Sequence, residues 1–187
     1  FPVLFQKKSN TLVRSSCLRI LPHIVIFRDV EQIERFLNVA LNQIKAAIKD
    51  KKIKLVDIAF DTLGNLVMTV TKRFSLEFVR TKLNSFIMTI VELIRKGSTM
   101  KQSTDSFLIC TAKIAKAMSK ILTIREAISD YTLLEAMFKS GLKKESANSV
   151  KTMVTFIPEL LQPLQNRLLR HISIALVGVA DASKEYI

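Results

Sequence analysis

Apolar residues recur at three- and four-residue spacing along almost the whole chain, and no stretch alternates apolar and polar residues long enough to suggest a sheet. The pattern predicts helices separated by short breaks. Leu12, Ser16, Cys17, Ile20, Leu21 and Ile24 form the first stripe, and Ile33, Phe36, Leu37, Ala40, Leu41, Ile44 and Ile48 the second. A charged gap at Asp50–Lys54 follows. Leu55, Ile58, Ala59, Thr62, Leu63 and Leu66 predict a third helix, and Phe78, Leu83, Phe86, Ile87, Ile90, Val91 and Ile94 a fourth. Lys96–Ser103 reads as the clearest loop, after which Ser103 or Thr104 is placed to cap a helix carrying Phe107, Ile114, Ala115 and Met118. Asp130 is the next cap, ahead of Leu133, Leu134, Met137 and Phe138, and Gly141 suits a helix stop. Two last helices span about Ala147–Leu161 and Gln165–Val177.

About eight helices in four hairpins raise the question of repetition. Arg19–Val25 lies over Asp61–Val67 at an offset of about 42 residues. Ile114–Met118 lies over the second block at about 51, and Ile157–Leu161 over the third at about 43. These periods approach the ~40–47 residues of HEAT and armadillo repeats, with the long loop around Gly97 accounting for the larger one. Pro22 and Pro158 fall late in the first helix of their hairpins, where a missing N–H and a ring clash bend a helix. An ordinary helical bundle would show the same 3.6-residue period. The solenoid is preferred because each hairpin is apolar on more than one face, as a middle repeat must be. The expectation is an all-α, right-handed α-solenoid of about four HEAT-type hairpins, with approximate units 11–50, 53–96, 103–142 and 145–178. His171–Ala180 is apolar nearly all round and the first residue is not Met, so the chain reads as a fragment of a longer array.

Composition narrows the function classes. Apolar residues make up 49% and Gly and Pro number four each, which argues against disorder, collagen-like sequence and turn-rich all-β folds. Mean hydropathy is +0.26, yet no apolar run reaches the ~18–20 residues of a membrane span. Cys17 and Cys110 follow no zinc spacing and are too few for a disulfide framework, which points to a reducing compartment. His23 and His171 have no Cys or His at ligand spacing. Asp57 and Asp61 sit four apart on one helix face beside Lys54 and read as a solvated or salt-bridged surface. The methionines are mostly at core spacing. No Gly-rich phosphate loop and no kinase catalytic or metal-binding loop is present, so no catalytic residue, metal or cofactor is assigned.

The net charge of +13 is the one sign of a binding surface. Lys45, Lys49, Lys51, Lys52 and Lys54 cluster at the end of one hairpin, and Lys113, Lys116 and Lys120 line a later helix. Such clusters serve as solvated ridges or attract an acidic protein, a membrane or nucleic acid. Aromatic residues do not interleave with the lysines, so no base-stacking platform is formed.

Four blocks carry a family resemblance. Val13–Ile24, with its Arg19 and Leu21-Pro22, resembles the repeat start in the N-terminal HEAT solenoid of target of rapamycin (TOR) kinases. Asp61–Val67 is similar to the next unit, Phe107–Ala115 to the third, and Ile157–Leu169 to the last, with its Ile-Pro, Leu pair and Arg-Leu-Leu run. The blocks follow in order over about Thr11–Gly178. Departures are Ala115 where the third unit usually has Gly, and Val25-Ile26-Phe27 where Ala-Ala-Phe usually follows the first Leu-Pro. The resemblance implies a non-catalytic scaffold segment of a Ser/Thr protein kinase in nutrient and growth signalling, whose catalytic domain lies outside this chain. It implies regulatory subunits of a TOR complex and a second protomer as partners, in the cytoplasm or at endomembrane surfaces. An unrelated HEAT or armadillo scaffold, or a basic nucleic-acid-binding HEAT module, is the alternative.

Overall fold

In the computed structural model, residues 10–50, 52–98, 100, 105–118 and 120–128 are described. Those residues form seven α-helices and one short 3₁₀ turn, with no strand among them. They are α1 (Thr11–Ile24), the 3₁₀ turn (Val25–Phe27), α2 (Val30–Ile48), α3 (Ile53–Arg73), α4 (Leu76–Lys82), α5 (Asn84–Ser98), α6 (Asp105–Met118) and α7 (Leu122–Ile128). The expected caps at Ser103, Thr104 and Asp130, and the helices expected beyond Asp130, lie outside the described residues, while α6 is the helix expected after Ser103 or Thr104. The chain divides into two compact units between Leu93 and Ile94, inside α5.

In the first unit local chemistry sets the helix starts. The Asn10 side chain accepts the Leu12 N–H at 3.0 Å, Asp29 accepts the Gln32 N–H at 2.9 Å, and Ser75 accepts the Phe78 N–H at 3.2 Å. Each satisfies a backbone donor that has no partner inside its helix. α3 packs against both α1 and α2, and this central position explains its breadth of burial. Leu55, Val56, Ile58, Ala59, Phe60, Thr62, Leu63, Leu66, Val67 and Val70 are all buried. α2 instead buries one stripe, Ile33, Leu37, Ala40, Leu41, Ile44, Ala47 and Ile48.

The ties between helices set their directions. Lys52, just before α3, donates its Nζ to Thr11 Oγ1 at the start of α1 (2.6 Å). At the other end, Arg73, the last residue of α3, donates from Nε and Nη2 to the Arg28 carbonyl beyond α1 (3.1 and 2.7 Å). α1 and α3 therefore run parallel. Ser85 Oγ lies 3.4 Å from Asn38 Oδ1, and Lys45 pairs with Glu92, both at a separation of 47 residues and seven residues apart on each helix. α2 and α5 are therefore also parallel and in register.

Three local expectations change. α1 buries Ser15, Cys17, Leu18, Leu21 and Pro22 and leaves Leu12, Ser16 and Ile20 exposed, so its core face is rotated from the expected stripe. The single fourth helix is divided at Leu83, whose φ of −114° and ψ of 39° leave the helical region. Bonds from Leu83 N to Val79 O and from Ile87 N to Leu83 O, both 3.1 Å, bridge the break, and Leu83 itself is buried. The loop expected from Lys96 begins later, because α5 continues to Ser98.

In the second unit Gly97 lies against the buried ring of Phe107. A Cβ at position 97 would overlap that ring, with Phe107 Cδ2 only 2.6 Å away. Close approach, not a turn, explains this glycine. α6 buries Phe107, Cys110, Thr111, Ala112, Ile114, Ala115 and Met118 and packs on α7, and Ile121, Ile124, Ala127 and Ile128 are buried as well. α7 has no counterpart in the periodicity reading.

Candidate interaction surface

The lysine cluster sits where α2 turns into α3. Lys49 caps the C-terminus of α2, where a cation complements the negative end of the helix dipole. Lys52 is the N-cap of α3 and Lys54 lies in its first turn. Both stand at the positive end of that dipole, where cations are disfavoured. Lys49, Lys52 and Lys54 are exposed, and Lys51 lies outside the described residues. Lys45 lies in the last turn of α2 and is held by Glu92 of α5.

Asp50 is the only carboxylate between positions 49 and 54, and its charge is already engaged. Arg14 of α1 donates Nη1 to Asp50 Oδ2 at 2.8 Å, and the Lys52 N–H donates to Oδ1 at 3.1 Å. These bonds hold the Asp50 carboxyl below its usual range, against the opposing effect of partial burial. The partner of Asp50 comes from a different helix, which spacing along the chain could not reveal. One carboxylate, shared between Arg14 and Lys52, thus faces the three exposed lysines of the turn.

On α6, Lys113 is half-buried and Lys116 exposed, while Lys120 is exposed in the turn before α7, so the three do not form one uniform ridge. His23 is exposed near the end of α1, and Cys17 and Cys110 are buried free thiols. Asp61 is exposed and Asp57 half-buried, with Asp57 Oδ1 enclosed and without a hydrogen-bond partner. Among the described residues no three His, Cys, Asp or Glu side chains converge, and no helix is long and apolar enough to cross a membrane.

What the periodicity reading missed is apolar. Leu12, at the start of α1, is 72% exposed and Ile53, at the start of α3, is 53% exposed. The Lys52–Thr11 bond brings these two helix starts side by side, so both apolar side chains flank the lysines. Comparison with protein-family models, curated proteins and solved structures finds no match to this chain.

Proposed function

We propose that the chain is a non-catalytic protein-binding scaffold built of stacked two-helix units. One observation carries the reading. α1 lies parallel to α3 with ties offset by 41 and 45 residues, and α2 lies parallel to α5 with both contacts offset by 47. Translation of one hairpin onto the next produces such lateral pairs for both helices of the unit at once, whereas a three-helix bundle makes only the α1–α3 kind of parallel pair and the parallel helices of an up-down four-helix bundle lie diagonally across its core. The offsets also fall within the period of HEAT and armadillo repeats. Repeated in the same sense, the units make the right-handed α-solenoid, and its turns and ridges serve as the contact surface.

The finer assignment, a segment of a TOR-type Ser/Thr protein kinase binding regulatory subunits, rests on the order and spacing of the four sequence blocks. Its test is the full-length transcript. A kinase catalytic domain encoded downstream of Ile187 is the expected result, and a reading frame that closes shortly after it contradicts the assignment. Phosphoryl transfer by the 187-residue chain alone would contradict the scaffold reading itself.

A further inference from the structure

We infer that the paired starts of α1 and α3 form a docking site for an acidic protein segment that carries apolar side chains beside its carboxylates. The inference rests on the scaffold reading and gives its partner a chemistry. Neither α1 nor α3 has an acidic residue in its first turn, so Asp50, two residues before the α3 N-cap, is the one carboxylate set against the positive ends of two adjacent helix dipoles. α3 goes further: it places Lys52 and Lys54 at that end, and its N-cap side chain makes no capping bond. Lys49 adds a third exposed cation. The one local carboxylate, Asp50, is shared between Arg14 and Lys52, which leaves the turn with an excess of positive charge. A sequence that breaks a local helix rule at several neighbouring positions commonly does so at a binding site.

The surroundings select among anions. Exposed Leu12 and Ile53 offer apolar contact to a side chain next to a carboxylate. A nucleic acid would leave both wet and would find no aromatic residue to stack on between positions 49 and 54. A bilayer surface calls for a whole helix face with a broad apolar stripe, whereas the site presents two helix ends.

The probe is a labelled synthetic peptide of repeated Glu-Glu-Leu, titrated against the 187-residue chain by fluorescence anisotropy at about 150 mM salt. The expected result is saturable binding that the Lys49→Glu, Lys52→Glu, Lys54→Glu triple variant weakens at least about tenfold. Leu12→Ser with Ile53→Ser is expected to weaken it about threefold or more. Lys54→Glu alone should weaken binding while leaving the melting temperature unchanged or higher, because a carboxylate suits the first turn of a helix. That variant separates binding from folding. Unchanged binding by the triple variant overturns the inference. So does equal affinity for a poly-Glu peptide, or tighter binding of duplex DNA or phosphatidylserine vesicles at the same salt. Absent peptide binding in a chain whose Asn38→Cys and Ser85→Cys thiols still join sinks this inference alone; failure of those thiols to join sinks the stacked-unit reading.

Discussion

At the scale of single residues, charge and close contact decide more than periodicity can express. The Arg14–Asp50 pair ties the start of α1 to the turn before α3, with both side chains partly buried. Its removal by Asp50→Asn should cost about 1 kcal/mol, the range for a charged hydrogen bond partly screened by water. The dependence on pH has a definite sign. Because the Asp50 pKa is lowered in the folded state, its stabilisation is fully present above the unfolded value near 3.8 and is lost as pH falls through the lower folded value. Thermal melts of wild type and Asp50→Asn should therefore differ at pH 5 to 7 and converge below about pH 4. A gap that widens on acidification would contradict the pairing. Gly97 makes a second residue-scale case. Gly97→Ala ordinarily favours a helix, but here the added methyl meets the Phe107 ring, so a loss of about 1–3 kcal/mol is expected in denaturant titration.

At the scale of elements, the success of the sequence reading follows the number of faces each helix buries. α2 has one apolar stripe, and six of the seven positions expected from periodicity are buried, with Phe36 half-buried beneath Arg28. α1 carries apolar residues around most of its circumference, so its period could not choose a face; packing on α3 chose one containing Leu18 and Leu21. The break at Leu83 keeps the apolar phase and has no Gly or Pro to mark it, which hid it from the pattern. α7 is too short to sustain a period. The lysine cluster was legible from composition, whereas Arg14, Glu92 and Leu12 joined it only through tertiary contacts. One element-scale prediction follows from the dipole argument. Lys54→Glu should stabilise α3 by about 0.3–1 kcal/mol at low salt, less at high salt, as read from urea midpoints.

At the scale of the whole molecule, a net charge of +13 predicts strong non-specific attraction to polyanions only where the positive charges are free to act together. Lys45 is held by Glu92 and Arg14 by Asp50, which fixes where two of the cations sit but leaves the net charge unchanged. Weak binding to duplex DNA at about 50 mM salt that vanishes by about 200 mM, without sequence preference, is the expected result. Affinity that persists at the higher salt would favour a nucleic-acid module over a protein scaffold.

Stacking of the hairpins by translation is read out at the contact that joins α2 to α5. Asn38 and Ser85 are short, exposed side chains in contact across the pair, and Glu92 lies two turns farther along α5 opposite Lys45. Oxidation of an Asn38→Cys, Ser85→Cys variant is compared by gel mobility with that of an Asn38→Cys, Glu92→Cys variant, each in the full 187-residue chain. Stacked units predict rapid bridging of the first pair and little bridging of the second. Preferred bridging of Asn38→Cys with Glu92→Cys would place the two helices in another register or direction and contradict the account.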